Sequence, residues 1–150
     1  MKSTSFKINN VRQMASMARS LAEEILKTKP SKKALVIGLF GDLGAGKTTF
    51  VKALGRGLGI KRKIISPTFV LMRNFAIKGP YHHIHHIDAY RINEKGFVQL
   101  GLREVIDDPE NIVVIEWADR VRKLLPKDAI LIDIKHGDDH NERHITFNRR

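Results

Sequence analysis

Two stretches of the chain are apolar almost without interruption. Ala34-Leu35-Val36-Ile37-Gly38-Leu39-Phe40 and Ile112-Val113-Val114-Ile115 show no polar alternation, as expected of strands covered on both faces in a parallel sheet. Elsewhere the pattern is periodic. From Val11 the apolar positions run Val11, Met14, Ala18, Leu21 and Ile25, steps of three and four that share one helical face. Asn9-Asn10 offers the N-cap of this helix and Pro30-Ser31 its stop. Lys47 to Leu54 reads as a second helix, closed by Gly55, Gly57 and Gly59. Phe69 to Ile77 and Tyr81 to Asp88, parted by Gly79-Pro80, read as an antiparallel pair. An edge strand at Ser5 to Ile8, one or two helical turns around Leu100 to Ile106 and a short helix over Trp117 to Leu125 complete the middle of the chain. Strands at Ala129 to Ile134 and Glu142 to Asn148 join through Gly137-Asp138-Asp139. The pattern predicts one α/β domain over residues 1–150.

Composition narrows the classes. At 150 residues, 42% hydrophobic and 29% charged, the chain can bury a core and is no disordered tail. The absence of cysteine excludes a disulfide scaffold, a Cys-ligated zinc and a thiol nucleophile. Ala34 to Phe40 is the longest apolar run, too short for a bilayer, and residues 1–30 hold no signal-peptide core. A cytoplasmic protein with no membrane or DNA partner is expected. The net charge of +11 is uneven, being +8 over residues 1–60, +5 over 61–100 and −2 over 101–150. Such an excess fits nucleic acid, an acidic partner or a solvated face.

The candidate chemistry lies between the first apolar run and the second helix. Gly41-Asp42-Leu43-Gly44-Ala45-Gly46-Lys47-Thr48 fits G-x-x-x-x-G-K-[ST], with a buried strand before it and a helix after it. Glycines let backbone N–H groups curl around an anion, and the new helix turns its positive end to phosphate. In that role Lys47 serves the β- and γ-phosphates and Thr48 offers its hydroxyl to Mg²⁺. The predicted class is thus a P-loop NTPase-like α/β domain with a mixed, mostly parallel central sheet, antiparallel additions and flanking helices. Glu116 follows four apolar strand residues, the layout of a metal-holding carboxylate, although a strand-end acid also caps a following helix. Asp88 is its rival at another strand end, and both can serve. No N-K-x-D or D-x-x-G motif is present, which favours ATP over GTP. Tyr81-His82-His83-Ile84-His85-His86-Ile87-Asp88 places His82, Ile84, His86 and Asp88 on one strand face and His83 and His85 on the other. Two histidines at i, i+2 can support zinc, but no third ligand is evident, so His82, His83 and His85 read as ordinary strand residues.

Four blocks recur in a known order: Gly41 to Thr49, Ser66-Pro67-Thr68-Phe69, His86-Ile87-Asp88-Ala89-Tyr90-Arg91 and Ile115-Glu116-Trp117. Together they resemble the TsaE (YjeE) family of bacterial P-loop ATPases. The resemblance implies an ATPase that supports the TsaB–TsaD heterodimer in making threonylcarbamoyladenosine beside the tRNA anticodon, meeting tRNA indirectly and leaving the transfer itself to TsaD. It implies that Asp42, Gly44, Ala45, Gly46, Lys47, Thr48 and Thr49 hold the nucleotide, with Asn10 approaching the adenine. It gives Thr48 and Glu116 the Mg²⁺, Thr68 a γ-phosphate-sensing place in a switch-like loop, and Asp88 the attacking water or the metal shell. Lys47, Thr68, Asp88 and Glu116 are then the catalytic set. Trp117 walls the site or faces the partner, and Arg91 and Arg120 are candidate charge stabilisers. The flanking Ile87 and Ala89, the histidine run and the basic charge are not features of that family. Two readings of other classes stand beside it: a small-molecule or nucleoside kinase, and an RNA-binding module with a nucleotide ligand.

Overall fold

The computed structural model describes residues 3–42, 44–64 and 71–149. The chain runs β1 (Ser3–Ile8), α1 (Val11–Leu26), β2 (Leu35–Phe40), α2 (Lys47–Gly57), β3 (Met72–Ala76), β4 (His83–Asp88), α3 (Glu94–Gln99), α4 (Leu102–Asp107), β5 (Asn111–Glu116), a 3₁₀ segment (Ala118–Leu124), β6 (Ile130–His136) and β7 (Arg143–Arg149). The strands form one sheet in the order β1-β7-β6-β2-β5-β4-β3. Its centre, β6-β2-β5-β4, is parallel, and the outer ladders β1–β7, β7–β6 and β4–β3 are antiparallel. This is the mixed α/β class expected from the two uninterrupted apolar runs.

Those runs are apolar because both faces of the central strands are covered. Ile37 and Leu39 of β2, with Ile112 and Val114 of β5, pack into the core under α1 and α2. Val36 of β2, with Val113 and Ile115 of β5, packs into the opposite core with Phe97 of α3 and with Leu102 and Ile106 of α4. The same parity orients the polar strand ends. Ile84 belongs to the α1–α2 side and Ile87 to the other, so His86, Asp88 and Glu116 continue the face that α2 covers.

Several predicted boundaries shift, each for a local reason. Asn10 caps α1, its Oδ1 accepting from Gln13 N at 2.9 Å. The buried face of α1 is Met14, Ala18, Ala22 and Ile25, however, while Val11 is 67% exposed. The helix ends at Leu26, before Pro30, with Lys27 as its C-cap. Gly55 and Gly57 do not close α2 but lie inside it. They are needed for close packing: a Cβ on Gly55 would stand 2.4 Å from Ile64 Cδ1, and one on Gly57 2.7 Å from Ala22 Cβ. Gly59, at φ +100°, makes the turn instead. Residues 92–110 form α3 and α4, more helix than expected. The segment after Trp117 is 3₁₀, with non-helical backbone at Val121. The start of the predicted Phe69–Ile77 strand lies outside the described residues, as does Ser66-Pro67-Thr68-Phe69.

Candidate functional site

Three parallel strands finish side by side at the same end of the sheet. β2 runs into the glycine-rich turn, while β4 and β5 end in Asp88 and Glu116, which are register partners. The turn lies where β2 hands over to α2. Gly41, Gly44 and Gly46 all have positive φ, of 140°, 76° and 109°, a region that side chains with a Cβ avoid. Gly41 is the most constrained, since a Cβ there would stand 2.3 Å from the Ile134 carbonyl oxygen. Gly46 rests against Met14 of α1, whose Cε would be 3.0 Å from an added Cβ. Met14, in the first turn of α1, therefore borders the glycine-rich turn. Asn10 uses its side-chain oxygen on the helix cap.

Lys47, the first residue of α2, is 6% exposed. Its Nζ donates to the carbonyls of Gly41 and Asp42, at 2.5 and 2.9 Å, and lies 4.1 Å from the centre of the Trp117 ring. Burial pushes this ammonium below the ordinary lysine value, opposed by the nearby carboxylates of Glu116, Asp42, Asp119 and Asp88. Two loop carbonyls and one aromatic face thus hold the cation against the turn. Trp117 adopts φ +58°, uncommon for a bulky residue, and its ring also meets Tyr90 at 4.9 Å. Arg120 lies over the Tyr90 ring, 5.6 Å from its centre.

Glu116 is 3% exposed and ends β5. Its Oε1 accepts from the Thr48 hydroxyl at 3.0 Å, and its Oε2 meets Nε2 of His86. The carboxylate is thereby fixed at both oxygens. Asp88, 5% exposed, accepts from Tyr90 N at 2.9 Å and lies beside Glu116 in the β4–β5 register. Ala45 is buried and Thr49 half-buried, while Asp42 and Gly44 are exposed. The structure therefore brings together Gly41, Asp42, Gly44 to Thr49, Asp88, Glu116 and Trp117; Leu43 and Thr68 lie outside the described residues. His83 and His85 point away from this cluster, His85 bonding Asn74 Oδ1 at 2.8 Å and His82 pairing with Glu110 at 3.1 Å. No group of three or more metal-ligating His, Asp or Glu side chains occurs among the described residues.

One contact has no counterpart in the local sequence pattern. Arg143 of β7 donates from Nε to the Ala45 carbonyl at 3.1 Å, and from Nη1 to the carbonyls of His140 and Glu142, both at 2.9 Å. A residue 98 positions away therefore braces the middle of the turn.

The fold and this cluster define a class: a mixed-sheet α/β protein whose polar site is built where parallel strands meet a glycine-rich turn. A family model described as threonylcarbamoyl adenosine biosynthesis protein TsaE matches residues 8–145. The chain belongs to the TsaE family. It is 38% identical over 117 residues to the tRNA threonylcarbamoyladenosine biosynthesis protein TsaE of Bacillus subtilis, covering 78% of this chain and 71% of that one. It is 40% identical over 135 residues to the protein of the same name from Aquifex aeolicus, covering 87% of each. The crystal structure of Bacillus subtilis YdiB superimposes with a TM-score of 0.78 at 32% identity, covering 99% of this chain and 86% of that one. These relatives fit the tRNA-modification reading and not the kinase alternative. No helix among the described residues is long and apolar enough to cross a membrane.

Proposed function

We propose that the chain is a cytoplasmic Mg²⁺-dependent ATPase that supports the TsaB–TsaD heterodimer in threonylcarbamoyl modification of tRNA, without itself transferring the group. The observation that carries this is the Thr48–Glu116 contact, 3.0 Å between a hydroxyl at the head of α2 and a carboxylate at the end of β5. Two hard oxygen donors side by side, next to a turn shaped for an anion, suit Mg²⁺ better than a softer metal. When bound, Mg²⁺ supplies charge neutralisation on the phosphate oxygens.

The residues then divide the work. The positive-φ glycines let the backbone of Gly44 to Gly46 approach a phosphate closely. Lys47, already anchored on two carbonyls, keeps an ammonium proton for the β- and γ-phosphates. Thr48 and Glu116 hold the metal, and Asp88 stands beside them to orient water or the metal shell. Thr49 and Asp42 complete the cradle, and Thr68 takes the γ-phosphate-sensing position. Phosphoryl transfer needs positioning and charge stabilisation more than a strong base, and this cluster offers both.

The test is co-purification of the full chain with TsaB and TsaD, with and without ATP and Mg²⁺. Capture of the heterodimer that depends on ATP supports the reading. A protein that hydrolyses ATP but never associates with TsaB–TsaD would sink the partner assignment, and one that binds no ATP would sink the whole.

A further inference from the structure

His86 is the one histidine of the run that is buried, 1% exposed, on the α2-facing side of β4. Its Nε2 meets Glu116 Oε2. An ionised carboxylate only accepts, so Nε2 carries the hydrogen. The other ring nitrogen, Nδ1, is buried and has no hydrogen-bond partner among the described residues. His86 also lines a cavity of about 10 Å³ whose other walls include Val51, Leu54, Ile64, Phe75 and Val114. Such a lining gives a water molecule too few polar partners. An imidazole with one nitrogen unmet is a poor choice for packing at a site that Leu or Phe would fill. Buried polar groups left unpaired in a native fold call for an explanation.

We infer that His86 is a positioning residue for the metal carboxylate: by donating to Oε2 it fixes the rotation of the Glu116 carboxyl group and leaves Oε1, beside the Thr48 hydroxyl, to face the metal. This rests on the ATPase reading above. The geometry gives it direction. Thr48 approaches Oε1 from α2 and His86 approaches Oε2 from β4, so the two contacts pull on different oxygens and set the carboxylate plane between them. Without His86 only the Thr48 hydroxyl restrains the last torsion of Glu116, which is broad for a glutamate. Partners of this kind behind a metal ligand typically govern metal affinity.

Trp117 is the single tryptophan and directly follows Glu116, so its fluorescence reports on the site. The test titrates Mg²⁺ into the ADP-loaded full chain, with ADP affinity in EDTA as the metal-free control. His86→Leu is expected to raise the half-saturating Mg²⁺ concentration about 10–100-fold and to leave metal-free ADP affinity within about twofold. In His86→Gln the amide nitrogen reaches the same place as Nε2 and can still donate, so the Mg²⁺ requirement should return to within about threefold of the parent. His86→Asn, too short to reach Oε2, should not rescue. In the nucleotide-free parent, a ring N–H resonance assigned to His86 Nε2 should shift in Glu116→Gln. A parent-like Mg²⁺ requirement in His86→Leu, or a Gln variant as impaired as Leu, overturns the inference. If the Leu variant does not fold, the Gln and Asn pair decides, and equal behaviour of those two overturns it. Failure of the parent itself to bind ADP is a different outcome, which removes the ATPase reading and this inference with it.

Discussion

The two ends of the parallel strands carry charge in opposite ways. At the C-terminal ends, Lys47, His86, Asp88 and Glu116 are each no more than 6% exposed. Lys47 and Asp88 bond the backbone, and Glu116 bonds Thr48 and His86. At the N-terminal ends, before β2, β5 and β6, an open cleft is lined by Lys32, Lys33, Arg103, Lys123 and Lys127 with only Asp107 and Asp128 opposing them. These side chains are exposed, and one pair, Lys33 with Asp107 at 3.5 Å, is within ion-pair distance. The first end uses few charges and specifies the position of each, because a buried charge without partners is costly. The second holds several charges in water, where each contributes little to stability. The basic excess of the chain is thus partly a property of the end that does not hold the candidate site.

The sharpest way to break this contrast is to remove Lys47. Lys47→Ala should cut ATP hydrolysis by at least about 10²–10³-fold, the usual loss when a preorganised electrostatic contact is deleted. Burial disfavours the Lys47 ammonium, so its loss should leave the thermal midpoint unchanged or raised. Hydrolysis measured alongside a melting curve checks both. Activity that survives in a folded Lys47→Ala protein would remove the distinction between the two ends.

A smaller effect is expected at the brace. Arg143→Ala deletes the bond to the Ala45 carbonyl and the two bonds within its own turn. The turn should loosen rather than unfold, at a cost of about 1–3 kcal/mol in denaturant unfolding. The nucleotide KM should rise several-fold while kcat changes less, because Arg143 contacts the turn and none of the residues assigned to the metal. A loss confined to kcat would show that Arg143 acts on the reaction directly.

The same turn provides the pH prediction. Glu142 accepts from Lys7 Nζ at 2.8 Å and from Asp138 N at 2.7 Å. The Lys7 bond, followed by the Asp138 N–H, holds its carboxyl below the ordinary glutamate value of 4.5. The folded state therefore gives up the Glu142 proton more readily than the unfolded chain does. The resulting stabilisation is fully present above pH 4.5 and is lost as the pH falls through the lowered value. The gap in thermal midpoint between the parent and Glu142→Gln should be constant above that pH and close below it. A gap that widens in acid would reverse the sign of this linkage.

Much of this was legible in the sequence wherever the cause was local. The runs at Leu35 to Phe40 and Ile112 to Ile115 announce strands buried on both faces, and alternation along β4 places His86 and Asp88 together. Gly41 to Thr48 is readable because backbone conformation and chemistry constrain neighbouring positions. Pro30 sets only an outer limit on α1, which ends at Leu26, where the Lys27 N–H turns to the Glu24 carbonyl at 3.1 Å. Gly55 and Gly57 looked like stops because their role, close approach to Ile64 and to Ala22 of α1, is tertiary. Arg143 was invisible for the same reason. Its contact with Ala45 depends on β7 folding back along β6, and no spacing near either residue records it. The His86–Glu116 contact was half legible: parity gives the shared face, but only the pairing of β4 with β5 brings the two side chains into reach.

The smallest expected effect tests the other end. Lys32→Ala, Lys123→Ala and Lys127→Ala combined lower the net charge by three without touching the strand ends that hold Glu116 and Asp88. None of the three forms a salt bridge among the described residues. Exposed substitutions of this kind usually stay within about 0.5 kcal/mol each. Melting temperature and nucleotide affinity should therefore remain near those of the parent. What can change is attraction at a distance, which scales with charge and is screened by salt. If capture of the TsaB–TsaD heterodimer weakens in low salt and recovers none of the difference in high salt, the cleft makes specific contacts and its charges are as placed as those around Glu116. If capture is unaffected at every salt concentration, the cleft is a solvated face, and the asymmetry between the two ends of the sheet is complete.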